Sequence, residues 1–155
     1  MLGRKFPCSI GRGGIRFDKR EGDGATPAGE FSLSGALYRP DRLPRTILPP
    51  CAQPIGLDWI WSDAPDDPRY NSLIRRGFGH PFSHERMRRA DRQYDLVVPV
   101  GYNSRRQPGR GSAILLHVWR KPRHPTAGCV AFALPDLVWI ANRIGSGGRI
   151  RITPV

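Results

Sequence analysis

Apolar residues come in short runs along this chain, broken by Gly, Pro or charge, which is the pattern of brief strands joined by turns. Two runs read as buried strands. One is Leu96-Val97-Val98-Pro99-Val100; the other is Ala113-Ile114-Leu115-Leu116, extending to Val118. They are expected to lie side by side. Weaker strand character appears at residues 6–10, 15–17, 30–33, 130–132 and 149–152. A helical period is clearest over 136–144, where Leu137, Ile140, Ala141 and Ile144 fall at i, i+3, i+4 and i+7. Pro135 suits its first turn and Gly145 its end. A second, arginine-rich helix is expected over 85–93, with Ser83 as N-cap and Met87 and Ala90 on its apolar side. Residues 37–68 are proline-rich, with Trp59 and Trp61 near the centre. The expected fold is mainly β, a sandwich of mixed sheets with one or two short helices.

Composition fits that picture. Eighteen Gly and 16 Pro in 155 residues are scattered, so they mark turns within one domain over 1–155 rather than a disordered tract. No apolar stretch approaches the length of a membrane span, so no integral membrane segment is expected. The N-terminal residues carry no hydrophobic signal region.

Charge narrows the partner. The net charge is +12, and 22 of the 25 basic residues are arginine, which favours a polyanion. No basic run is interleaved with aromatics, and neither zinc-finger spacing nor a helix-turn-helix pattern is present, so nucleic acid is not the expected partner. A carboxylate-rich cell-wall polymer is the alternative. The acidic patch Asp58, Asp63, Asp66 and Asp67 reads as turn formers beside Pro65 and Pro68 and as partners for arginine. His80 and His84 are four apart, but Pro81 and Ser83 place them on different elements. No spacing among these, His117, His124 and Cys129 fits a zinc site, and neither metal nor cofactor is expected.

The candidate chemistry lies in Ser112 to Phe132. His117 closes an apolar strand, a polar loop follows, and Gly128-Cys129 opens the next apolar run, with eleven residues between His117 and Cys129. Such a histidine and cysteine can meet across a turn, as a nucleophile and its base require. Gly128, without a Cβ, permits the tight geometry that aims backbone N–H groups at an oxyanion. Thr126 can bond back to the loop backbone. Three cysteines, Cys8, Cys51 and Cys129, leave at least one outside any internal disulfide. A Cys8–Cys51 pairing stays open.

His117, the loop and Thr126-Ala127-Gly128-Cys129 resemble the signature of the YkuD-type L,D-transpeptidase catalytic domain. Gly22-Asp23-Gly24-Ala25-Thr26-Pro27-Ala28-Gly29-Glu30-Phe31 resembles that family's early G-D-x-x-T-P-x-G-x-F segment. The chain departs from the best-known members in a shorter spacer between histidine and cysteine. It also has Ala127 where they carry a second histidine and Ala131 where they carry Asn or Arg, which marks an outlying branch. The resemblance implies Cys129 as nucleophile and His117 as base, in a thiolate–imidazolium pair oriented by the Val118 carbonyl. Gly128 and Thr126 would shape the oxyanion turn, and Trp119, Arg123 and His124 would contact substrate. It implies transfer from peptidoglycan stem peptides through a thioester to an acceptor amine, which could belong to a protein. The expected location is the periplasm or cell envelope. The alternatives are a carboxypeptidase of the same fold and a non-catalytic polyanion-binding module.

Overall fold

The computed structural model of the chain describes residues 4–145 and 147–154; residues 1–3, 146 and 155 lie outside it. In chain order the strands are β1 (Cys8–Ser9), β2 (Ile15–Arg16), β3 (Thr26–Pro27), β4 (Gly29–Ser32), β5 (Ala36–Tyr38), β6 (Ala52–Pro54), β7 (Ile60–Ser62), β8 (Ser72–Ile74), β9 (His84–Arg86), β10 (Leu96–Pro99), β11 (Leu115–Val118), β12 (Val130–Phe132) and β13 (Arg149–Ile152). Among the described residues one α-helix, α1 (Leu134–Ala141), falls between the last two, and a short 3-10 turn spans Arg45–Ile47. The mainly-β expectation holds. The sheets are mixed: a six-stranded one ordered β1-β12-β11-β10-β5-β6, a three-stranded one ordered β8-β7-β9, and the pairs β13-β4 and β2-β3.

The two strongest apolar runs do pair, antiparallel, as β10 and β11, with Val98 opposite Leu116. Side chains alternate across a strand, and here both faces are covered. Leu96, Val98, Leu116, Val118, Val130 and Phe132 point to one core, against which Leu137 and Ala141 of α1 pack. Val97, Leu115 and Leu37 point to a second core with Met87, Tyr94 and Ile55, flanked by Trp59, Trp61 and Cys129. The helix thus backs the sheet on the face opposite the cysteine. It begins two residues before the expected start and ends at Asn142, whose side chain donates to the Ile47 carbonyl at 2.8 Å.

The expected helix over 85–93 does not form. His84–Arg86 is instead β9, antiparallel to β7 with Glu85 opposite Trp61. Met87 is fully buried, and its N–H bonds the Trp59 carbonyl at 2.9 Å. Pairing and burial override the local helix preference of an arginine-rich segment. Arg88, Arg89 and Arg92 find Asp41, Asp91 and Asp95 as partners without a helical repeat. Ser83 caps nothing; its carbonyl accepts the Asp63 N–H.

Candidate active site

Cys129 stands immediately before β12, and His117 lies in β11. These strands run parallel, with His117 opposite Ala131. Cys129 is two residues before Ala131, so it shares the face of His117 as its diagonal neighbour, roughly 7 Å along the sheet and within reach of an aromatic side chain. The two residues therefore do not meet across a hairpin turn. The segment between them is a crossover, as parallel strands require.

His117 is buried, and its Nδ1 lies 2.8 Å from the Val118 carbonyl oxygen. A carbonyl only accepts, so Nδ1 carries the proton and Nε2 of the neutral ring keeps its lone pair. Tyr94 packs edge-on against the ring with centroids 5.5 Å apart. Burial lowers the His117 pKa from its ordinary 6.5, with the Val118 carbonyl opposing the shift.

The Cys129 thiol donates to the Ala113 carbonyl at 3.2 Å, and no hydrogen bond joins it to His117. Ala113 holds φ +50°, a conformation few non-glycine residues adopt. Its N–H bonds Asn71 Oδ1 at 3.1 Å, while Asn71 Nδ2 donates to the Tyr102 and Asn103 carbonyls. One asparagine thus pins the carbonyl that receives the thiol. Burial pushes the Cys129 thiol up to about 12; the Glu85 carboxylate adds to the rise, and the Leu115 N–H, Lys19 and Arg89 oppose it.

Both shifts favour neutral groups. Burial thus works against the expected thiolate–imidazolium pair, because both charged forms would be desolvated beside Tyr94 and Leu115. Iodoacetamide labelling of Cys129, followed by peptide mapping, should therefore rise about tenfold per pH unit from pH 7 to 10 with no plateau. A plateau near pH 8 would contradict the neutral resting state.

Two distant segments converge on the turn before β12. Thr126 Oγ1 accepts the Gly128 N–H at 3.1 Å and donates to the Cys129 carbonyl at 2.6 Å. Thr26 Oγ1 reaches the same carbonyl at 3.5 Å and accepts the Gly11 N–H at 2.8 Å. Gly128 has φ +144°, and a Cβ there would stand 2.9 Å from the Ala25 carbonyl oxygen. Its N–H is engaged by Thr126, so the glycine shapes the turn rather than donating outward. Asp23 braces the adjoining loop: Oδ1 accepts from Lys19 Nζ and the Ala25 N–H, each at 2.8 Å, and Oδ2 from the Arg20 N–H at 2.7 Å.

Beside Cys129 opens a cleft of about 180 Å³ whose walls carry both signs of charge: Lys19 and Arg12 against Glu21, Asp63 and Glu85. Glu85 accepts from the Tyr94 hydroxyl at 2.6 Å, and burial raises its pKa. Asp63 Oδ1 is buried without a hydrogen-bond partner.

A family model described as the YkuD L,D-transpeptidase catalytic domain matches residues 2–152. The chain belongs to this family. No curated protein and no solved structure gives a significant match. Family members act on peptidoglycan in the cell envelope. Among the described residues no helix is long and apolar enough to cross a membrane.

Within this L,D-transpeptidase domain, several residues expected at the site sit elsewhere. Trp119 lines a separate cleft of about 680 Å³ with Arg92, Lys121 and Pro122, because its N–H is tied to the Phe132 carbonyl beyond the histidine. Arg123 is exposed, and His124 is half-buried with its N–H on the Lys121 carbonyl; neither lines the cysteine cleft. His124 thus does not stand in for the missing second histidine. Cys8 and Cys51 are exposed and free, so no disulfide joins them. Trp59 and Trp61 are half-buried against the second core. Sequence reading passed over Asn71, Glu85, Tyr94 and Lys19. The first three come to the site through pairing between distant strands. Lys19 is hidden in the charged run Asp18-Lys19-Arg20-Glu21, which looks like ordinary surface loop.

Proposed function

We propose that the protein is a cysteine-dependent L,D-transpeptidase acting on peptidoglycan stem peptides. The observation that carries this reading is the convergence of both signature segments on the Cys129 turn, Thr26 and Thr126 bonding one carbonyl within the family match over residues 2–152.

In the proposed reaction, substrate enters the cleft and displaces the thiol from the Ala113 carbonyl. As sulfur bonds to the carbonyl carbon of the third, diamino-acid residue, the thiol proton passes to His117 Nε2. The ring is then an imidazolium, steadied by its Nδ1–H bond to Val118. The tetrahedral oxyanion collapses, the C–N bond to the terminal D-alanine breaks, and His117 protonates the departing amine. An acceptor amine attacks the thioester, gives a proton to His117, and the thiol leaves with it. The neutral resting pair suits this sequence, since an unprotonated imidazole is the form that can accept. Placement in the periplasm belongs to the same proposal.

Muropeptide product analysis tests it. Tetrapeptide stems incubated with the protein and an amine acceptor should yield cross-linked product and free D-alanine. Tripeptide alone, at a rate indifferent to acceptor, would assign a carboxypeptidase instead. Unchanged stems would overturn both.

A further inference from the structure

We propose that Lys19 is a catalytic residue whose ammonium binds the oxyanion formed when Cys129 attacks a carbonyl. The inference rests on the nucleophilic role assigned to Cys129 and on no particular substrate.

Four observations carry it. Lys19 is a buried lysine, its side chain only 3% exposed, yet it sits on the wall of the cleft that holds Cys129. Burying an ammonium is unfavourable unless it is paired, and lysines are seldom placed so. Its pairing is incomplete: Nζ donates to Asp23 Oδ1 at 2.8 Å and to the Arg20 carbonyl at 3.1 Å, and an ammonium has three hydrogens. The third has no protein acceptor. Finally, Nζ lies 3.6 Å from the point where a Cβ on Gly128 would stand, so the charge borders the residue preceding the nucleophile.

The backbone leaves a role for it. The Gly128 N–H, the donor a glycine-cysteine turn would offer, is held by Thr126 Oγ1. A cation beside the turn, almost wholly buried and held by Asp23, adds stabilisation where negative charge develops, alongside any donor the Cys129 N–H offers. The proposal also gives the Gly22–Asp23 segment a purpose beyond scaffolding, since Asp23 fixes the ammonium and the Ala25 backbone together.

Two reactions at one sulfur separate this role from a structural one. Acylation by p-nitrophenyl acetate passes through an oxyanion; alkylation by iodoacetamide does not. Both rates are read at Cys129 by peptide mapping in wild type, Lys19→Met and Lys19→Gln, with folding checked by circular dichroism. Gln can still hydrogen-bond Asp23 and hold the loop. In a folded neutral variant the acylation rate should fall about 100-fold, and the ratio of acylation to alkylation at least tenfold. An unchanged ratio, with both rates lowered together, overturns the proposal and leaves Lys19 tuning the thiol or bracing the loop. Should neither neutral variant fold, Lys19→Arg reads the same ratio. Its planar head, tied to Asp23, cannot offer a donor from the same point, so a fall of at least fivefold is expected and no change overturns the assignment. A wild-type Cys129 that is alkylated but never acylated overturns it as well. Because the ester is not a cell-wall substrate, loss of muropeptide activity alone leaves this result standing.

Discussion

One carbapenem adduct per chain, mapped to Cys129 and absent from Cys129→Ala, is the expected result of incubating the protein with this class of β-lactam. The ring carbonyl of a β-lactam is an acyl donor that needs a nucleophile but no leaving-group recognition. It therefore tests the sulfur apart from the stem peptide. Cys8 and Cys51 are exposed, free and outside the cleft, so they should stay unmodified. The alanine variant should fold, because Cys129 is only half-buried and its thiol contributes one weak hydrogen bond, to Ala113. A stoichiometric adduct that persists in Cys129→Ala would move the nucleophile elsewhere. No adduct on folded wild type would favour a binding module with an inert cysteine.

His117→Asn should slow acylation of Cys129 by about 10²- to 10⁴-fold, the usual contribution of a positioned general base. Asparagine keeps an N–H that can reach the Val118 carbonyl, so stability should change by no more than about 1.5 kcal/mol. The pH profile gives a second readout. In wild type the imidazole must be unprotonated to accept the thiol proton, and burial has lowered its pKa below 6.5. Acylation should then carry an acid limb on the acid side of 6.5, where the imidazole is protonated. In the variant that acid limb should vanish. Stopped-flow or quenched mass measurements across pH 5 to 9 decide it. An acid limb that survives in His117→Asn would assign the titration, and the base, to another group.

The parts of this site that could be read in the sequence are those coded by contiguous apolar runs. Leu96 to Pro99 and Leu115 to Val118 are buried on both faces, so nearly every residue is apolar and the strands announce themselves. The amphipathic period of α1 did the same. His117 and Cys129 were visible because each interrupts or opens such a run. What could not be read depends on partners far away. Glu85 lies in Ser-His-Glu-Arg-Met-Arg-Arg, which has the charges of a surface helix; only the pairing of β9 with β7 turns the carboxylate toward Cys129. Ala113 looked like the first residue of a strand. It instead takes a left-handed conformation, because Asn71, forty-two residues earlier, captures its N–H. Trp119, Arg123 and His124 were drawn toward the site by closeness in sequence. In a parallel pair, the residues after the histidine run away from the cysteine before the chain returns.

That return has an evolutionary consequence. The spacing of imidazole and sulfur is set by strand register, with His117 opposite Ala131, and not by the number of residues in the crossover. Residues 120–125 are mostly exposed and can be lengthened with little change in closure entropy, whereas trimming is limited by the span a parallel crossover must cover. One residue inserted within β12 is different. It would turn the sulfur through the sheet to face α1, where no base stands. Insertions should therefore be tolerated in the tether and hardly at all in the two strands it joins.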